Sequence, residues 1–211
     1  MKSSLRPVHL LFASLAAPVL VSSAVAAAAP TEDPAPALTA TINGVIDLVM
    51  GQSADAITAR VPEIRAKMNE SFATEAIVQR TFGRNWSKLS KAQQTEVVDL
   101  LGKIIIRTYA TQLGAGERPV VTVTSSKLIS PDRREVTTTA SQQGKTVNVV
   151  YRFAPIDGKW KVYDVLAENV SVVGNYRQQF DAHFQNKTAE DLLQTLRAKL
   201  AAPVVVEPAK S

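Results

Sequence analysis

The hydrophobic pattern changes period once, near the middle of the chain. In the first half, apolar residues recur at helical spacing. Leu38, Ile42, Val45, Ile46 and Val49 fall on one face, and Gly51 follows as a stop. A second helix is expected over 54–69, with Pro62 at a start or a kink because proline removes a backbone donor. Thr74 is placed to cap a short helix with Glu75 in its first turn, ending near Gly83. Ser90 and Gln93 have capping-box spacing. Beyond them Val97, Leu100, Leu101, Ile104, Ile105, Thr108 and Leu113 mark one face of the longest expected helix, which Gly114 and Gly116 end.

From residue 120 the period is two. Segments 120–128, 134–142, 146–153 and 159–167 are rich in Val, Thr, Tyr and Trp. Pro131-Asp132, Gln143-Gly144 and Asp157-Gly158 separate them as turns. Connections this short imply an antiparallel meander of about four strands. A last helical region holds Tyr176, Phe180 and Phe184, then Leu192, Leu193, Leu196 and Leu200 after Thr188. Helices, then a sheet, then helices is the order of an α+β fold.

The ends have a different character. Lys2 and Arg6 precede an apolar run from Val8 that ends in small residues, with Ala26 and Ala28 in an A-x-A pattern. Residues 1–28 therefore read as a secretory signal peptide, which implies export. Residues 29–37, containing "PTEDPAPA", read as a flexible leader, and 203–211 as a flexible tail. One domain remains, 38–202, long enough for a sizeable core.

Composition narrows the chemistry. The absence of cysteine excludes disulfides, thiolate metal sites and a lipidated anchor. His9 leaves with the signal peptide, so His183 alone cannot build a His-rich metal site. There is no GxSxG, no phosphate-binding glycine loop and no HExxH. Without Lys2 and Arg6 the chain carries 22 Lys and Arg against 19 Asp and Glu. The basic residues are scattered, so this surplus is no nucleic-acid signature. No cofactor is implied.

The stretch "DGKWKVYDVLAENVSVVGNYRQQF" is the least ordinary. It begins as a half-buried strand and becomes apolar on both sides, with Asp164 inside. On strict alternation Asp164 shares a face with Trp160, Val162 and Leu166. A buried carboxylate needs donors or a cation. Asp164 reads either as a general base beside Tyr163, as in a proton-transfer enzyme, or as a structural acceptor tied to a loop or to Arg152 or Arg177. The second reading is favoured because nothing else completes a catalytic set. Alternate apolar positions at Val121, Val123, Val136, Val147, Val149, Tyr151 and Phe153 fit either a solid core or a hollow that takes an apolar molecule. A protein that only binds other proteins, its core simply filled, is the third reading.

Two blocks carry a resemblance. In 81–113, Gly83, Arg84, Trp86, Ser90, Gln93 and Tyr109 resemble the G-R-x-W/Y turn, Ser/Thr-x-x-Gln and helix-terminal Tyr of the MlaC (toluene-tolerance) family. In the second block, Trp160, Lys161, Val162, Tyr163, Asp164 and Val165, then Val170, Ser171, Asn175, Tyr176, Arg177, Gln179 and Phe180, resemble that family's W-K/R-V-Y-D-V, V-S and N-Y-R-x-Q-F. The likeness runs from about 38 to 200. It departs at Ala167-Glu168-Asn169, where many members have E-G before V-S, and over 53–70.

The resemblance implies a curved antiparallel sheet against helices, related to the nuclear-transport-factor-like cone, around a deep apolar cavity for phospholipid acyl chains. Such a cavity would be lined by Ile104, Ile105, Tyr109, Val121, Val123, Val136, Val147, Val149, Tyr151, Val162, Leu166 and Val170. Arg84, Arg133 and Arg134 are the expected headgroup rim. It further implies a periplasmic carrier without catalytic residues, in transient contact with membranes. That carrier would work between an outer-membrane lipoprotein–porin assembly and an inner-membrane ABC transporter with an MCE-domain subunit. Some relatives are associated with hopanoids, so a polycyclic lipid is the alternative ligand.

Overall fold

A computed structural model describes residues 30–114 and 116–202. The expected signal peptide (1–28) and tail (203–211) lie outside the described residues. Among the described residues, seven helices and five strands follow in the order α1(Ala35–Val49), α2(Ala54–Ala59), α3(Val61–Met68), α4(Thr74–Phe82), a 3-10 turn (Gly83–Lys88), α5(Lys91–Gly114), β1(Val120–Ser130), β2(Arg133–Gln142), β3(Lys145–Ile156), β4(Lys159–Ala167), β5(Val170–Ser171), α6(Val172–Asn186) and α7(Ala189–Ala201). The sheet is an antiparallel meander in chain order, β1-β2-β3-β4-β5.

Local chemistry sets most boundaries. The expected helix over 54–69 is two helices. Ser53 caps α2 through the amide of Ala56, and α3 restarts with Pro62 in its first turn, where a missing N–H is harmless. Ser90 and Gln93 form the capping box of α5 reciprocally, at 3.0 and 3.3 Å. Thr188 and Asp191 do the same for α7. Thr74 does not cap α4; its hydroxyl donates to Asn69 Oδ1 instead, and Ala73 precedes the helix without a side-chain cap.

The turns explain a departure from the family pattern. Gln143-Gly144, Asp157-Gly158 and Glu168-Asn169 all have positive φ at both residues. Two consecutive positive values are what a tight hairpin needs to match strand twist. Glu168-Asn169 thus folds β5 back on β4, and the Glu168 carboxylate accepts the Asn148 amide at 2.7 Å.

Helix α5 lies between two layers, which three adjacent isoleucines make possible. At about 100° per residue, Ile104 and Ile106 point to different sides. Ile104 joins Val78, Phe82, Leu101, Phe180 and Leu193 in a core between α4, α5, α6 and α7. Ile106 joins Val45, Val49, Ile57 and Ala110 between α5 and α1–α3. Buried Arg107 extends from α5 to the last carbonyls of α7, donating to Lys199 and Leu200. Gly114 ends α5 where a Cβ would come within 2.7 Å of the Val49 carbonyl, so the close approach to α1 depends on its having none.

The leader differs from expectation. Trp160 Nε1 donates to the Pro30 carbonyl at 2.8 Å. Asp33 accepts from the Ala35 amide and the Ser126 hydroxyl and pairs with Arg134. Residues 30–34 are therefore anchored, because the carboxylate caps α1 and bridges to the sheet, and α1 begins at Ala35. Among the described residues no helix is long and apolar enough to cross a membrane.

Candidate functional site: a half-covered apolar sheet face

Strand pairing places residues in rows across the sheet. On one face, Val136, Tyr151 and Val165 form a row, and Phe153 faces Val162 beyond it. These close on Ala35 and Leu38 of α1 and on Phe72, and Val136, Phe153 and Val162 have no accessible surface. This half of the face is solid core. The chain before α4 reinforces it, since Ser71 and Ala73 hydrogen-bond Val162 along the free edge of β4.

The other half of the same face is open. Val123, Thr138, Val149, Ala167 and Val170 form one row across all five strands. Val121, Ala140 and Val147 form the next. Their exposure rises outward, from half-buried Val121, Val123 and Val149 to 36% for Val147 and 61% for Val170. Partly buried Ile42 of α1 meets the edge of the solid core. Gln142, two residues past Ala140, ties this end of β2 to the end of α5 through the carbonyls of Leu113 and Glu117. Helix α6 starts two residues after Val170. The open rows are thus bounded by the end of α5 and the start of α6. Tyr109 and Tyr176 from these helices lie within electrostatic range of one another. Burial pushes both phenols up, although 45% of Tyr109 stays accessible.

The structure thus brings together Val121, Val123, Val147, Val149 and Val170, while Ile105 packs against the helical core. It does not bring in the rest. Val136, Tyr151 and Val162 are sealed in the solid half, and Ile104 is interior to the helical core. Leu166 points to the opposite face, because a bulge at Tyr163 breaks the alternation: Phe153 faces Val162, yet Arg152 faces Asp164. Ala140, Ala167 and Thr138 were missed. The alanines could have been found by pairing them with the valines, since their small side chains deepen the rows.

None of the three expected rim arginines borders the open rows. Arg134 lies in register with Phe153, four residues along from Val149 on β3 or about 13 Å away, and stacks over Trp160. Arg133 projects from the outer face onto Tyr163. Arg84 is 85% exposed on the 3-10 turn near Asp181. Two hollows, of about 470 and 410 Å³, lie beside α7 and between α3 and α5, with Lys, Asp and other polar side chains in their linings.

Asp164 is fully occupied as an acceptor. Its carboxylate takes the amides of Val165 (2.9 Å) and Val173 (3.2 Å) and the Ser171 hydroxyl (2.8 and 3.0 Å), with Arg152 Nη1 at 3.5 Å. Ser171 in turn caps α6 through the Gly174 amide. The carboxylate fixes the handover from β5 to α6, and no lone pair is left pointing into an apolar pocket.

In the solid half beside the open rows, burial pushes the Tyr151 phenol up to about 12, and Thr138 acts in the opposite direction. The Thr138 hydroxyl is itself buried without a hydrogen bond of ordinary geometry. A phenol that keeps its proton longer in the folded state contributes stability in full below pH ~10, and that contribution is lost as pH rises through ~12. Base titration of unfolding should show an extra loss of about 3 kcal/mol over that window, which Tyr151→Phe removes.

The fold and site define a mixed α+β protein whose five-stranded antiparallel sheet is half solid core and half open apolar floor. The sequence profile of the MlaC protein family matches residues 39–198, and the chain belongs to this family. Among solved structures, it is similar to a phospholipid-binding protein from Ralstonia solanacearum determined in complex with a phospholipid. The TM-score is 0.71 at 22% identity, covering 81% of this chain and 98% of that one. No curated protein sequence matches the chain significantly.

Proposed function

We propose that the chain is a phospholipid carrier whose open sheet rows receive the acyl chains. The carrying observation is the five-strand row Val123–Thr138–Val149–Ala167–Val170, apolar except for one hydroxyl, in which every residue but buried Thr138 keeps accessible surface where the rest of the face is solid. The structural neighbour that holds a phospholipid has the same fold, and the family assignment supports the reading.

The energetics suit a carrier. Burying a CH₂ is worth about 0.8 kcal/mol, so two chains of about fifteen carbons gain on the order of 20 kcal/mol against water. A bilayer offers nearly the same. Transfer between the two is close to balanced, and a partner sets its direction. No catalytic residue is required, and Asp164 is engaged in structure. On this reading the protein is periplasmic after removal of the signal peptide. It passes lipid between the outer-membrane lipoprotein–porin assembly and the inner-membrane MCE-domain transporter.

Vesicle-to-vesicle transfer of a fluorescent phospholipid tests the proposal. The protein should accelerate transfer in proportion to its concentration. Unchanged transfer, with a hopanoid accelerated instead, would move the assignment to a polycyclic lipid.

A further inference from the structure

The bulge at Tyr163 turns both Tyr163 and Asp164 to the outer face, away from the open rows. There the Tyr163 ring has two guanidinium groups near it, Arg80 of α4 at 4.5 Å from its centroid and Arg133 of β2 at 5.7 Å. Beside them Arg177 of α6 directs Nε and Nη2 to the Arg80 carbonyl. Arg84 follows on the 3-10 turn.

The nearby carboxylates are already engaged. Asp132 pairs with Arg133, Glu135 and Asp164 with Arg152, and Asp181 takes the Asn85 amide with Arg84 only at 3.9 Å. Among the described residues, Arg80 and Arg177 have no carboxylate partner, and the guanidinium of Arg80 donates no hydrogen bond. Unanswered positive charge is thus held in place by ring stacking and a backbone carbonyl.

We propose that this outer face, centred on Arg80, Tyr163 and Arg133, is a docking surface for an acidic segment of a partner protein. Planar guanidinium forks held in fixed orientation match carboxylates two bonds at a time. Arginine and tyrosine are also the side chains that most often anchor protein interfaces. A lipid headgroup layer needs no such fixed geometry. Because the surface lies on the reverse of the sheet from the open rows, a partner can sit on it without covering them. This holds whatever the rows bind.

The test is an NMR titration of the isotope-labelled full chain with a short peptide of alternating Asp and Glu. Shifts should concentrate on Arg80, Tyr163, Arg133 and Arg177. Affinity should fall about fivefold in Arg80→Gln with Arg133→Gln, less in Arg80→Lys, and not at all in Lys199→Gln. Lipid content should be unchanged in the double variant. Shifts spread over all basic residues, or a double variant that binds as well as the parent, would overturn the proposal. So would tighter binding, through the same residues, to phosphatidylethanolamine vesicles containing phosphatidylglycerol.

Discussion

Val149→Glu should give a folded protein that no longer carries lipid. Val149 sits in the middle of the open five-strand row, with Thr138 on one side and Ala167 on the other. In the empty protein a glutamate there reaches water, because the row is only half-covered, so the fold accommodates it. With acyl chains on the floor the carboxylate would be trapped against hydrocarbon, at a cost of several kcal/mol. Lipid recovered per mole of protein should drop on the order of tenfold or more, while the far-ultraviolet spectrum stays that of the parent. Val136→Glu is the contrasting variant. Val136 lies one row away on the neighbouring strand β2 with no accessible surface, and its glutamate should prevent folding. A Val149→Glu protein that keeps its lipid would remove the floor from the account.

The second large effect is expected at Asp164. Replacing it with alanine strips acceptors from two amides and a hydroxyl and leaves Arg152 with Glu135 alone. Breaking a buried network of this kind costs about 3 kcal/mol, equivalent to a fall in Tm on the order of 10 °C. Urea unfolding measures it directly. Hydrogen exchange should also show the first turn of α6 opening early, since the Val173 amide and the Ser171 cap both depend on this carboxylate. Asp164→Asn retains an acceptor oxygen and should fall between. An Asp164→Ala protein as stable as the parent would show that the handover to α6 is held some other way.

The two predictions draw on parts of the chain that differ in how plainly the sequence spells them. Meander, helix order and most caps are local matters. Period-two segments separated by Gln143-Gly144 and Asp157-Gly158 can hardly pair otherwise, and the Ser90–Gln93 box is written in adjacent residues. The site was harder to read because periodicity assigns a residue to a face but not to a position along it. Val136 and Val149 alternate alike, yet one is under α1 and the other is open. What separates them is where α1 stops covering the sheet, a tertiary fact. The bulge at Tyr163 was equally silent. One extra residue moved Asp164 and Leu166 to the outer face, and the strict alternation that placed Leu166 with Val162 contained no sign of it. The expected rim arginines lie away from the open rows for a related reason. Arginine suits a headgroup, but residue type does not say at which end of a strand it lies. Arg134 turned out to pair with Asp33 and to cover Trp160.

Native mass spectrometry of the full chain, purified without detergent from a phospholipid-rich host, tests the central claim most directly. The account predicts a protein peak heavier by the mass of one phospholipid, with that lipid identified in the organic extract. A single peak at the bare protein mass, an extract free of phospholipid, and no uptake from vesicles would contradict it.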